Sequence, residues 1–320
     1  MNYFQRVTSK HIIIASIIAL VSCLCIFGIS YYATYQIIHP SDYAMNGKNQ
    51  SSLAREIRSE LLTRPNYEAV SFKSHDDITL SGILVLRKNP TANLLVSHGF
   101  KGSKEFGYGL CAMFPDWNIL LYDFRAHGQS SGTLTTIGVR ESYDVLAAAH
   151  FLRNTTTSKY NKKLPLIALG MSMGAASTLR AAELDPAMCD IIVADSAYAD
   201  LSTVIKDVFS RYAGLPHYPF FPIAKRLFHY LSDCTMEEMS PVKSVGKIKQ
   251  PILFIHSCAD KFIIPENALK LYINASNRTS KLWLGPACRH GSLHIYHSEH
   301  YKKRVNSFVF KHLPMLSQTT

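Results

Sequence analysis

The segment Gly170-Met171-Ser172-Met173-Gly174 sets a serine between two glycines at the spacing G-x-S-x-G. A serine hydroxyl is a poor nucleophile at its free pKa. It becomes an effective one when a base lies within hydrogen-bond reach, a third group orients that base, and donors wait for the developing oxyanion. Small flanking residues allow the sharp strand-to-helix turn that lifts Oγ clear of the backbone. As a bare pattern this spacing is weak; its surroundings strengthen it. The apolar run Leu166-Ile167-Ala168-Leu169 reads as the preceding strand, and a helical stretch opens at Met173. That helix start would aim free amides and the positive dipole end at the same point.

An orienting acid is expected on a loop at a strand C-terminus, where such sheets carry their ligand and catalytic groups. Asp260 follows the apolar strand Ile252 to His256 and is the first choice; Asp195, also just after a strand, is the alternative. Asp123 follows a strand as well but precedes Ser172. Turns of this type carry their partners in the order serine, acid, histidine, so Asp123 is expected to brace the Arg125 to Gly132 loop instead. Of the 14 histidines, His290, His294, His297, His300 and His312 lie beyond Asp260. His290 follows the last strand on a loop with Gly285-Pro286 and Gly291; His294 is the rival base. The oxyanion donors expected are the backbone N–H of Met173 and that of Phe100, in the loop His98-Gly99-Phe100-Lys101-Gly102. One such donor is typically worth about 3 kcal/mol of barrier.

These groups require a scaffold that brings strand ends together. Apolar β-rich runs recur at 68–74, 80–87, 93–97, 118–123, 166–170, 191–194, 252–256 and 281–284. Helical patterns at 139–153, 173–184 and 266–274 alternate with them. The alternation predicts an α/β fold: a doubly wound, mostly parallel eight-stranded sheet, opening with an antiparallel pair. Residues 200–248 are longer than a crossover needs, and FSRYAGLPHYPFFPIAKRLFHYL within them is aromatic and proline-punctuated. A small cap at about 200–240 is expected there.

Ile12 to Ile29 form an 18-residue stretch without a charge. At about 1.5 Å per residue a helix of that length spans roughly 27 Å, close to the hydrocarbon thickness of a bilayer. Arg6 and Lys10 precede it and the next lysine is Lys48, so the charge bias puts the N-terminus in the cytoplasm. The reading that follows has a cytoplasmic N-terminus at 1–10 and a transmembrane signal-anchor helix at 11–32. A spacer and packing helix occupy 33–66, with a cap at Ser51 or Ser52. A catalytic domain at 67–314 and a tail at 315–320 complete it. The catalytic domain would stand on the extracytoplasmic side of the cell (inner) membrane. Two alternatives involve cleavage: a signal peptide of a secreted protein, or a lipoprotein box at Leu20-Val21-Ser22-Cys23.

Composition narrows the partners. A net charge of +11 could suggest nucleic acid, but the basic residues are dispersed without interleaved aromatics, so no nucleic acid is expected. The seven cysteines show no C-x-x-C and no Cys/His ligand spacing, so buried free thiols are expected, and neither a metal nor an organic cofactor.

Together the motifs resemble the α/β-hydrolase superfamily, and more narrowly the membrane-anchored bacterial hydrolases related to the dipeptidyl-peptidase and acylaminoacyl-peptidase catalytic domain. The resemblance covers roughly residues 67 to 312. Besides HGFKGS and GMSMG it includes Leu121-Tyr122-Asp123-Phe124-Arg125-Ala126-His127-Gly128-Gln129-Ser130-Ser131-Gly132, similar to the family's YDxRGHGxSxG loop. Ala126 stands where that loop has its first glycine. His256-Ser257-Cys258-Ala259-Asp260 departs from the family's HGxxD by a serine. The family's terminal His-Gly with a tyrosine eleven residues on matches His290-Gly291 and Tyr301, which favours His290 over His294. The resemblance implies a serine hydrolase acting on an ester, thioester or amide through an acyl-enzyme. The aromatic cap suggests an apolar acyl group, so the substrate would be a small-molecule or lipid-like acyl compound, with a carboxylesterase or lipase-like activity favoured. An aminopeptidase-like or acyl-peptide hydrolase is the alternative, and a catalytically idle membrane scaffold or binding protein the reading from another class.

Overall fold

Continuous apolar strands need a hydrophobic layer on each face, and the alternation of their side chains decides what those layers are. A computed structural model describes residues 3–40, 52–211 and 214–313. The first half contains α1 (Tyr3–Ile38), α2 (Ser52–Leu62), β1 (Tyr67–Lys73), β2 (Thr79–Val85), β3 (Ala92–Ser97), α3 (Tyr108–Met113), β4 (Trp117–Tyr122) and α4 (Glu141–Tyr160). The second contains β5 (Leu166–Met171), α5 (Met173–Leu184), β6 (Ile191–Asp195), α6 (Leu201–Arg211), α7 (His217–Ser232), β7 (Ile252–Ser257), α8 (Glu266–Asn274), β8 (Lys281–Gly285) and α9 (Ser298–His312). The strands form one sheet in the order β1-β2-β4-β3-β5-β6-β7-β8. β2 runs antiparallel to both neighbours, and every pair from β4 to β8 is parallel.

Leu95, Leu120, Ala168, Ile192 and Phe254 point to one face, where α4, α5 and α8 cover them. Leu94, Ile119, Ile167, Val193 and Leu253 point to the other, under Leu61 of α2, Leu110 of α3 and Val305 and Phe308 of α9. This is the doubly wound eight-stranded sheet expected from the sequence. The helix predicted at 139–153 instead runs to Tyr160. Its threonine-rich end is held by tertiary contacts that helix propensity does not register: Asn93 Nδ2 donates to Thr156 Oγ1 at 2.9 Å and Tyr160 OH to the Arg87 carbonyl at 2.6 Å. The seven cysteines are free thiols, with Cys111, Cys189 and Cys234 buried.

α1 also outruns its prediction. A spacer was expected from residue 33, yet the helix continues to Ile38 because its C-terminal turns have a partner. α7 lies along it: Ser30 Oγ approaches the Phe220 carbonyl at 3.4 Å and Thr34 Oγ1 the Ala224 carbonyl at 3.5 Å. Ser30, Thr34 and Ile38 are buried, whereas the apolar side chains from Ile12 to Phe27 are exposed, apart from the half-buried Ile26. The helices α6 and α7 occupy the interval read as a cap. Ser51 lies outside the described residues.

Candidate active site

Ser172 occupies the one-residue turn between β5 and α5, with φ 54° and ψ −118°. A non-glycine residue at positive φ is strained and persists only where its surroundings hold it. Here Ser172 N–H donates to the Asp195 carbonyl at 2.8 Å, and the Ser172 carbonyl accepts from Ala176 N–H at 3.0 Å. Both flanking glycines are required by space. A Cβ at Gly170 would overlap the Gly174 backbone, and one at Gly174 would overlap the carbonyls of Ser97 and His98.

His290 Nε2 lies 2.8 Å from Ser172 Oγ, and His290 Nδ1 lies 2.6 Å from Asp260 Oδ2. The carboxylate can only accept, so Nδ1–H donates to it and Nε2 is left as the acceptor facing the serine hydroxyl. Asp260 Oδ1 accepts from the N–H groups of Phe262 and Ile263 at 2.9 and 3.1 Å. Burial by itself would raise the Asp260 carboxyl. Hydrogen bonds from His256 and His290 outweigh it and hold the group well below the usual carboxylate range. Asp260 therefore stays ionised and keeps one imidazole tautomer in place. A hydroxyl, an imidazole and a buried carboxylate linked in this order can shuttle one proton between the serine oxygen and a leaving group.

The loop after β3 lies directly beside Ser172: a Cβ on Gly99 would be 3.3 Å from Ser172 Cβ. Phe100 follows in that loop. Met173 opens α5, at the helix end whose first N–H groups have no intrahelical acceptor. Two histidines fasten the loop to the one after β4. His98 Nδ1–H donates to the Gly99 carbonyl at 2.7 Å, and its Nε2 accepts from Phe124 N–H at 3.0 Å. His127 repeats the arrangement, with Nδ1 at 2.8 Å from the Arg125 carbonyl and Nε2 accepting from Lys101 N–H at 3.2 Å. Burial, reinforced by the neighbouring His127, pushes His98 down to about 3; burial lowers His127 as well. Each acts as a neutral donor–acceptor bridge. Asp123 braces the same loop, accepting from Lys104 N–H at 2.7 Å and Gln129 N–H at 2.8 Å and pairing with Lys104 Nζ at 2.5 Å.

The two alternatives stand apart from this chain of hydrogen bonds. The Asp195 carboxylate is buried against Ser196 Oγ at 2.8 Å, and the hydrogen bond between Asp195 and Ser172 is made by their backbones. His294 is buried with its ring centroid 6.0 Å from that of Tyr301, and neither of its nitrogens bonds to Ser172 or Asp260. Two participants had no role assigned from the sequence. His256 Nε2 lies 3.2 Å from Asp260 Oδ2 and 2.7 Å from the Ile263 carbonyl. Ser257 ties the acid strand to the histidine loop: its Oγ donates to the Cys288 carbonyl at 2.8 Å and accepts from Cys288 N–H at 2.9 Å. The only sequence signal for Ser257 was its replacement of a glycine in the HGxxD resemblance.

Comparison with known proteins agrees with this architecture. A sequence model of the prolyl oligopeptidase family matches residues 132–315, which include Ser172, Asp260 and His290. The chain is 30% identical over 237 residues to the uncharacterized protein YqkD of Bacillus subtilis, covering 72% of this chain and 75% of that one. It is 21% identical over 274 residues to the protein bem46 of Schizosaccharomyces pombe, covering 83% of each. Among solved structures, the Pyrococcus furiosus esterase Pf2001 superposes with a TM-score of 0.62 at 24% identity, over 77% of this chain and 92% of that one. Est1E from Butyrivibrio proteoclasticus gives 0.54 at 16% identity, over 77% and 100%. The chain belongs to the prolyl oligopeptidase family and is a hydrolase of the α/β-hydrolase type.

Proposed function

We propose that this chain is a membrane-tethered serine hydrolase that cleaves carboxylic esters through an acyl-enzyme. The observation that carries the reading is the continuous hydrogen-bonded chain Ser172–His290–Asp260, with links of 2.8 and 2.6 Å, at the carboxyl end of a central parallel strand. Ser172 Oγ attacks the acyl carbon while His290 Nε2 takes its proton and Asp260 steadies the resulting imidazolium. The carbonyl oxygen becomes an oxyanion between the N–H groups of Phe100 and Met173. Its collapse breaks the bond to the leaving alkoxide, which receives the proton from His290. A water molecule, deprotonated by the same imidazole, then attacks the acyl-enzyme, releases the acid and restores Ser172.

Exposed apolar side chains on α1 from Ile12 to Phe27 support a membrane anchor, placed by the preceding charges with the catalytic domain outside the inner membrane. Retention of the last turns of α1 is favoured because Ser30, Thr34 and Ile38 are buried in the fold. An apolar acyl substrate is supported by Phe262, whose ring centroid lies 5.1 Å from that of His290, and by the aromatic α6–α7 interval. The second reading, an aminopeptidase-like or acyl-peptide hydrolase, is favoured by the family match alone.

Labelling of the full chain with a fluorophosphonate, followed by an acyl-chain-length series of aryl esters run beside aminoacyl amides, tests both parts. Ser172 is expected to be labelled and Ser172→Ala to lose both label and turnover. Turnover persisting in that variant would remove the serine mechanism, and faster cleavage of amides than esters would favour the second reading.

A further inference from the structure

The membrane anchor and the helix α7 share one register, and that register assigns a depth to the end of α7. The carbonyl of Phe220 meets Ser30 and that of Ala224 meets Thr34, so four residues along one helix match four along the other and the two run in the same direction. From Ile12 to Ile29 α1 is almost wholly apolar; from Ser30, the first of these contacts, it stays uncharged but turns to Ser30, Tyr31, Tyr32, Thr34 and Tyr35. The N-terminal end of α7 therefore stands at the level where α1 would leave the hydrocarbon.

We propose that this end of α7 together with the two residues before it, Leu215 to Phe221, is a second membrane contact seated in the interfacial layer of the bilayer. The proposal rests on the reading of α1 as a membrane span. The side chains there are of the amphipathic kind that interfaces collect. Tyr218 is 80% exposed, and Leu215, Phe220 and Phe221 are half-buried beside it. On α1 Phe27 and Tyr31, stacked at 6.4 Å, bracket the matching level, with Tyr31 and Tyr32 exposed. Two aromatic clusters from distant parts of the chain thus occupy one plane. Farther along α7 Tyr230 is 84% exposed, but ten residues beyond Phe220 it stands about 15 Å from that plane. Exposure alone does not separate Tyr218 from Tyr230; depth does.

Tryptophan scanning in lipid tests this. The full chain is reconstituted in phosphatidylcholine–phosphatidylglycerol vesicles containing phosphatidylcholine brominated either high in the acyl chain or near its end. Emission from Trp117 and Trp283, measured on the unsubstituted chain, is subtracted. Tyr218→Trp is expected to lose about half of its added emission to the lipid brominated high in the chain, the depth at which interfacial side chains sit. Tyr230→Trp is expected to be unaffected, and Ile18→Trp to be quenched most by the lipid brominated near the chain end. If Ile18→Trp behaves so while Tyr218→Trp is unquenched, the α7 contact is wrong and the anchor stands. Equal quenching of Tyr218→Trp and Tyr230→Trp overturns the proposed depth, since α7 would then lie flat. An unquenched Ile18→Trp removes the anchor and this proposal together.

Discussion

The carbonyl of Ile38, at the end of α1, accepts a hydrogen bond from Thr135 N–H at 2.8 Å. Thr135 in turn places its Oγ1 4.0 Å from the sulfur of Met173, the residue next to Ser172. The buried Glu141 carboxylate fixes this segment, accepting from Thr135 Oγ1 at 2.7 Å, Thr136 N–H at 3.0 Å and Gly138 N–H at 2.7 Å. The helix read as a membrane span thus ends inside the hydrolase core, one residue from contact with the serine turn. Truncating the fully buried Ile38 should behave as a core cavity mutation. Ile38→Ala is expected to cost about 2–4 kcal/mol, seen as a lowered unfolding midpoint in detergent, whereas Ile18→Ala is expected to leave it unchanged. A midpoint equally insensitive to both would mean that α1 is only a tether.

Ser257 offers a test of how the histidine is positioned. Its hydroxyl exchanges hydrogen bonds with the backbone of Cys288, two residues before His290. Ser257→Gly should loosen that loop without touching substrate, lowering kcat on the order of tenfold and leaving KM nearly unchanged. A change confined to KM would sink this account.

Ala126 adopts φ 57° where the family's loop has glycine. A left-handed conformation costs a residue with a Cβ about 1–2 kcal/mol, of which the greater unfolded-state entropy of glycine cancels part. Ala126→Gly is expected to stabilise the chain by about 0.5–1 kcal/mol in denaturant titration, and a destabilised variant would contradict the strain argument.

The histidine bridges predict an acid-sensitive fold. His98 titrates at about 3 in the folded chain because of burial, against an ordinary value of 6.5 that the unfolded chain keeps. Between those values the unfolded state holds the additional proton. Stability is therefore complete above about pH 6.5 and is lost as the pH falls, by about 1.4 kcal/mol per pH unit from His98. His127, also lowered by burial, steepens the decline. Unfolding midpoints measured from about pH 7 to about pH 5 should fall, and His98→Gln should flatten the slope. A slope unchanged by that substitution would move the cause elsewhere.

Local pattern carried much of this protein. The apolar runs from Asn93 to Leu284 announced parallel strands because a strand covered on both faces must be apolar throughout. The turn at Ser172 was legible because a sharp strand-to-helix turn needs small neighbours at fixed offsets, a purely local demand met by Gly170 and Gly174. Asp260 and His290 were narrower choices among several acids and fourteen histidines. Chain order restricted them, but only the packing of β5, β6, β7 and β8 decides which imidazole meets Ser172 and which carboxylate meets that imidazole, since the distance between two loops is set by strand neighbours remote in sequence. The same holds for His98 and Ser257, whose partners Phe124 and Cys288 lie on other loops that no spacing rule connects. The end of α1 shows the principle most directly. Composition located its apolar stretch, but its last turns pack against α7, some 190 residues away in the chain, and only the tertiary structure brings those surfaces together.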